Sequence, residues 1–194
     1  TMTELGTVCE HMNLPVQAGD DEVLRRMRRT YSSDHWRERI AYTRERMPNV
    51  TVATDIIVGF PGETDNEFEQ TLELLRSVEY DEIFSFMYSP RPQTVSAKIY
   101  EDDIPEDVKK ERLRRVQMLQ QGISLAKNCQ RIGESYEILI DGPSKLKNGQ
   151  VMGRTRTNRI VNVAAPETLV GQTVAVRITS ATANSLLGEV LAHN

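Results

Sequence analysis

The sequence predicts two folds in series, an α/β part over residues 1–130 and a small all-β part over 131–194. Two observations carry this. In the first hundred residues, short β-branched runs alternate with stretches of helical period and close on proline-containing loops. That order is expected of parallel strands joined by helical crossovers. From Tyr136 onward the apolar period drops to two, with turn residues between short runs, as in a small antiparallel barrel of the OB kind.

Taken in order, Cys9–Leu14 reads as a short strand ending near Pro15, and Gln17-Ala18-Gly19 turns the chain. Asp20 is a good N-cap, and Asp21 and Glu22 in the first turn suit the helix dipole. Val23, Leu24, Met27 and Tyr31 form an apolar face, and Arg25, Arg26, Arg28 and Arg29 a basic one on the same helix. That basic face reads as a solvated surface or as a nucleic-acid contact. Ser32 or Ser33 caps a second helix with Trp36, Ile40 and Met47 inward, and Pro48 ends it.

Val50–Val58 carries no charge before Asp55 and predicts a strand buried on both faces. Gly59-Phe60-Pro61-Gly62 stops it: the glycines allow close backbone approach and the proline fixes φ. Thr64-Asp65-Asn66-Glu67 is a capping-box pattern, and Phe68, Leu72 and Leu75 follow at helical spacing. Ile83–Tyr88 is a further short strand, broken by Ser89-Pro90-Arg91-Pro92. In such α/β arrangements ligands bind beyond the carboxyl ends of the strands. Asp102, Asp103 and Pro105 open a long helix to near Arg131, with Leu113, Val116, Ile123 and Ala126 as its inner stripe. Its length of about 26 residues spans roughly 40 Å, enough to cross an open half barrel and lead to the next domain. Gly133 ends it. Strands near 136–141, 150–155, 159–163, 173–179 and 186–191 make up the second part.

Composition narrows the function classes. No run approaches the roughly 20 apolar residues that span a bilayer, and Thr1-Met2-Thr3-Glu4 has no basic region leading into an apolar one. A cytoplasmic protein without a membrane partner is expected. Cys9 and Cys129 form no CxxC and read as ordinary thiols, and the three histidines are scattered, so no metal-ligand set is expected. The net charge of −4 is uneven: residues 131–194 hold seven Lys/Arg and five Asp/Glu, which makes that part +2 and leaves −6 for residues 1–130. A mildly basic barrel fits a polyanion partner.

Three stretches in this order, Leu14-Pro15-Val16-Gln17-Ala18-Gly19, Thr54–Thr64 and Tyr88-Ser89-Pro90-Arg91-Pro92, resemble the radical-SAM methylthiotransferases, most of all the MiaB type that modifies an adenosine beside the tRNA anticodon. The likeness covers nearly the whole chain. It implies the second half of a radical-SAM (β/α) barrel of six units, including the long helix, followed by a TRAM domain, an RNA-binding module. It also implies S-adenosylmethionine as cofactor, held in part by Gln17, Asp55, Gly59, Pro61, Gly62, Glu63, Ser89 and Arg91. Asp55 reads equally as a functional carboxylate or a structural ion pair, and Glu63 equally as a helix-dipole residue or a ligand. The family uses two 4Fe–4S clusters, one on a CxxxCxxC loop and one in an N-terminal domain, and neither set of cysteines occurs here. The chain is therefore expected to be a fragment, inactive alone, whose partners are the missing N-terminal part of the same protein, or a second copy on the open sheet edge, and the anticodon stem-loop of tRNA. Gln93 stands where the family commonly has glycine after Arg-Pro, which puts that turn in question. Asn13 stands where the family often has a histidine.

In the barrel, Gly153-Arg154-Thr155-Arg156-Thr157-Asn158-Arg159 places three arginines within six positions. Arginine's planar fork suits phosphate, so Arg154, Arg156 and Arg159, extended by Lys145 and Lys147, form a candidate RNA patch. The alternative is an exposed polar strand. No aromatic residue interleaves them, which favours backbone over base contacts. The run looks like the tRNA-modifying branch rather than the branch that modifies a ribosomal protein. Three functions are weighed: a tRNA methylthiotransferase adding a methylthio group to C2 of an N6-modified adenosine, a ribosomal-protein methylthiotransferase, and a non-enzymatic RNA-binding module. A CxxxCxxC loop upstream of Thr1 would separate enzyme from module.

Overall fold

A computed structural model describes residues 2–144 and 149–191. The chain divides into two compact units. Residues 12–48 and 52–120 form one, and the described residues of 1–11, 49–51 and 121–194 form the other. This differs from the expected division at 130/131, because the N-terminal segment and the end of the long helix pack with the barrel.

The α/β unit is built on a three-stranded sheet in the order β1 (His11–Asn13), β2 (Thr51–Val58), β3 (Glu82–Met87). β2 and β3 are parallel, with Asp55 opposite Phe84 and Ile57 opposite Phe86. Beyond β1 the chain bridges in parallel from Gln17 to Ile56. Val52, Ile56 and Val58 are fully buried on one face of β2. The other face is not closed off: Asp55 and Ile57 are half-buried, and Phe84 and Phe86 are 44% and 54% exposed. The expectation of burial on both faces thus holds fully for one face and, through Thr51 and Ala53, for the first half of the other, and β1 and β3 are both open edges, as expected for part of a barrel.

Between β1 and β2 lie α1 (Asp21–Arg26) and α2 (Ser33–Arg46). Asp20 caps α1, its Oδ1 accepting from the Glu22 and Val23 amides at 2.8 and 3.1 Å. The expected basic helix stops early. The Arg28 amide donates to the Arg25 carbonyl and the Arg29 amide to the Leu24 carbonyl, and Arg28 takes φ +58°. This is a Schellman end with arginine where glycine is usual, so Arg28 and Arg29 lie beyond the helix rather than on its face. In α2, Ile40 is buried and Trp36 Nε1 donates to the hydroxyl of Tyr80, whose pKa burial pushes up to about 12. α3 (Asp65–Val78) starts on the full capping box: Thr64 Oγ1 accepts the Glu67 amide, and Glu67 Oε2 accepts the Thr64 amide at 2.7 Å. It buries Phe68, Leu72 and Leu75. The short α4 (Val95–Ile99) and the long α5 (Glu106–Cys129) follow β3.

The second unit contains β4 (Ser135–Pro143), β5 (Val151–Thr155), β6 (Ile160–Val163), β7 (Thr173–Ala181) and β8 (Leu186–Val190), closed into a barrel in the order β4-β5-β6-β8-β7. All pairings are antiparallel except β6 with β8, which is parallel. A fifth strand returning beside the third produces that one parallel seam, as OB-like closure requires. Alternate residues Ile138, Ile140, Val151, Val161, Val174, Val176 and Ile178 fill the interior. Gly153 is needed there because a Cβ would strike the Leu139 carbonyl.

Candidate ligand cleft and basic hairpin

The loops after β1, β2 and β3 contribute to a cleft of roughly 600 Å³ in the α/β unit, lined by Gln17, Asp55, Phe60, Tyr88, Ser89 and Arg91 among others. Arg26, Arg28 and Arg29 also line it, as do Phe86 and residues of α4. Asp55 gets there because strand alternation turns it away from Val52 and Ile56. Gln17 is held with φ +78° by two backbone bonds of 2.9 Å, its amide to the Asp55 carbonyl and its carbonyl from the Ile57 amide. A left-handed glutamine fixed on both sides places its side chain by local strain, a feature common at binding sites. The ring of Tyr88 stacks edge-on to Phe60 at 4.9 Å, and its hydroxyl is buried without a hydrogen-bond partner among the described residues.

Arg91 leaves the β3 loop through a tight turn. The Thr94 amide donates to the Arg91 carbonyl at 3.2 Å, with Pro92 at the second position and Gln93 at φ +74° in the third. That is the pattern of a type II turn, whose third position favours glycine. The turn forms with glutamine there, and the strain remains in it.

The other four cofactor candidates do not line this cleft. Glu63 is 2% exposed. Its Oε2 accepts the Gly59 amide at 2.6 Å and Arg112 Nη1 at 2.8 Å, while Arg112 Nη2 reaches Asp65 at 2.8 Å. Burial pushes the Glu63 carboxyl up, opposed by the Gly59 amide and by Arg112. Glu63 thus braces the loop against α5. Gly59 is required by Lys109, whose Cγ occupies the place of a Cβ, and Lys109 in turn pairs with Asp102 and lies 5.5 Å from the Tyr88 ring. The Gly62 amide is taken by Asp103 at 2.8 Å. Pro61 is buried. These residues shape the loop from behind, and Phe60 is the part of it that faces the cleft. Sequence reasoning missed Phe60, Tyr88, Arg28 and Arg29 as cleft residues. The first two sit inside the quoted motifs, and the arginines read as a helix surface.

The charges balance unevenly. Arg26, Arg28, Arg29 and Arg91 face a single carboxylate, Asp55. Arg26 is committed, its Nη1 and Nη2 reaching Glu67 at 2.9 and 3.0 Å. The cleft can therefore seat a flat ring against Phe60 and Tyr88, a hydroxyl or cation at Asp55, and an anion at the remaining guanidinium groups.

In the barrel unit the three candidate arginines lie on the β5–β6 hairpin, and each is engaged. Arg154 bonds Asn158 Oδ1 at 2.8 Å and pairs with Asp141 at 3.3 Å. Arg156 is exposed and donates to the Gly6 and Val8 carbonyls at 2.8 Å each. Arg159 reaches Asn128 Oδ1 at 2.6 Å. Of the three, Arg156 is exposed and Arg154 and Arg159 are half-buried. Lys145 and Lys147 lie outside the described residues.

Among the described residues no group of three His, Cys, Asp or Glu side chains is placed to hold a metal, and Cys9 and Cys129 are both exposed free thiols. The residues present do not fit an iron–sulfur cluster. No helix of the described residues is long and apolar enough to cross a membrane.

A parallel sheet with its cleft at the carboxyl rim, followed by an OB-like barrel, has counterparts among known families. The Radical SAM superfamily model matches residues 1–75 and the TRAM domain model matches residues 130–191. Residues 1–75 are thus similar to radical-SAM proteins and residues 130–191 to TRAM domains, and the three-stranded sheet fits a stretch of a radical-SAM (β/α) barrel. Over nearly its whole length it is similar to tRNA-2-methylthio-N(6)-dimethylallyladenosine synthases: 45% identical to that of Moorella thermoacetica over 98% of this chain and 43% of the relative, 45% to that of Syntrophobacter fumaroxidans over 96% and 41%, and 46% to that of Bacillus thuringiensis over 96% and 36%. The chain spans about two fifths of the length of the curated relatives it matches.

Proposed function

We propose that this chain serves a radical-SAM methylthiotransferase that adds a methylthio group to C2 of an N6-modified adenosine beside the tRNA anticodon. Residues 1–130 act as the radical-SAM part and 131–194 as the RNA-binding TRAM part, working in the cytoplasm where tRNA is modified. The observation that carries the reading is the convergence of Gln17, Asp55, Ser89 and Arg91 on one cleft. These groups fit S-adenosylmethionine, which when bound supplies the methyl group and the radical chemistry. Asp55 takes a ribose hydroxyl or the ammonium, Arg91 the carboxylate, and Phe60 and Tyr88 the adenine face. Gln17 and the Tyr88 hydroxyl offer hydrogen bonds to the remaining polar edge.

The cysteines for cluster chemistry are not in these residues, so the chain positions the cofactor and the RNA without starting the reaction. The open edges of β1 and β3 and the exposed Phe84 and Phe86 pair with the further length that the relatives have, or with a second copy. Calorimetric titration of the chain with S-adenosylhomocysteine and, separately, with an anticodon stem-loop tests both parts. Binding of each supports the reading. Failure of the nucleoside to bind overturns the cleft assignment, and failure of the RNA overturns the barrel assignment.

A further inference from the structure

The four arginines of the cleft are not equivalent. Arg26 is tied to Glu67, and Arg91 stands where the cofactor's carboxylate is assigned above. Arg28 and Arg29 remain, both exposed, both lining the cleft, and neither paired with an acid among the described residues. Arg28 also occupies the left-handed end of α1, where glycine would cost less, roughly 1 kcal/mol of strain for any other side chain. Of the non-glycine residues with positive φ, Gln17 and Arg28 line this cleft and Gln93 lies in the loop between its lining residues Arg91 and Thr94. Strain gathered around one cavity, with two uncompensated guanidinium groups at it, marks a site built for an anion.

We propose that Arg28 and Arg29 form a phosphodiester-binding subsite, holding the RNA backbone next to the nucleotide whose base enters the cleft. This rests on the reading of the cleft given above. A phosphodiester fits because two adjacent guanidinium groups present several N–H donors to its non-bridging oxygens, while Asp55, the one lining carboxylate among the described residues, remains for the nucleoside. Backbone capture at the mouth and base entry within would register the target base against the cofactor.

The test uses the whole chain and a fluorescent anticodon stem-loop, with affinity followed by anisotropy over a range of salt. Arg28→Gly removes the guanidinium while supplying the residue the left-handed turn favours, so the fold should be kept or strengthened. Combined with Arg29→Gln it should weaken binding and lower the salt slope by about 1.4–1.8 units, as loss of two phosphate contacts requires. Arg25→Gln, in the preceding turn of α1 but outside the cleft and paired with Glu22, should change the slope by well under half of that. Calorimetry with S-adenosylhomocysteine should give the same affinity for wild type and double variant. An unchanged slope in the double variant, or an equal fall with Arg25→Gln, overturns the subsite. If the nucleoside fails to bind wild type while the slope still falls selectively, the cleft reading fails and the phosphate subsite stands.

Discussion

Arg112 Nη1 donates to both the side chain and the main-chain carbonyl of Glu63, at 2.8 and 3.0 Å. One side chain of α5 thereby fixes the loop that follows β2, and that loop in turn presents Phe60 to the cleft. Removing Arg112 leaves a buried carboxylate with only the Gly59 amide. Arg112→Ala should therefore cost about 3–5 kcal/mol.

The same pair predicts a pH signature. Burial holds the Glu63 carboxyl above its ordinary value, so the native state binds a proton there more readily than the unfolded chain does. The resulting stabilisation is present below the unfolded glutamate value and is lost as pH rises through the raised one. Urea unfolding measured across acid pH should show this decline in wild type and lack it in Glu63→Gln. Parallel profiles would remove Glu63 from the account.

Gln93 holds a turn position that favours glycine. Gln93→Gly should relieve the left-handed strain and raise stability by roughly 0.5–1 kcal/mol after the added freedom of the unfolded chain is subtracted. The urea midpoint reads this directly. A lower midpoint would mean that the side chain of Gln93 contributes more than its backbone costs.

On the β5–β6 hairpin, changing Arg154, Arg156 and Arg159 together to Ala should weaken stem-loop binding and lower its salt slope by up to about three units. The single change Arg156→Ala should carry the largest share, because Arg156 is exposed and bonds to main-chain carbonyls, whereas Arg154 and Arg159 are half-buried and bond to the side chains of Asp141, Asn158 and Asn128. An unchanged slope would assign all three to structure.

Reconstitution with iron and sulfide should leave no bound cubane cluster, since Cys9 and Cys129 are exposed thiols with no third acid, cysteine or histidine ligand arranged beside either among the described residues. A stable cluster absorbance would contradict this.

Much of the fold could be read directly. The capping box at Thr64 and Glu67, the buried stripe of Phe68, Leu72 and Leu75, and the five barrel strands all follow from local pattern, and local pattern is what formed them. What stayed hidden depends on partners far along the chain. Gly59 reads as a close approach to a ligand, yet the approach comes from Lys109, fifty positions on. Glu63 reads as a helix-dipole residue or a ligand until Arg112 is seen beside it. The early end of α1 was illegible for a different reason: arginine at a left-handed position carries none of the glycine or asparagine signal by which such ends are recognised.

The central claim is that the loops after three parallel strands build one nucleoside site. Its most direct test is amide NMR of the chain titrated with S-adenosylhomocysteine. The account predicts saturable shifts centred on Gln17, Asp55, Phe60, Tyr88, Ser89 and Arg91, lost when Asp55→Asn and Arg91→Gln are combined. No shifts at saturating nucleoside, or shifts confined to residues outside the cleft, would contradict it.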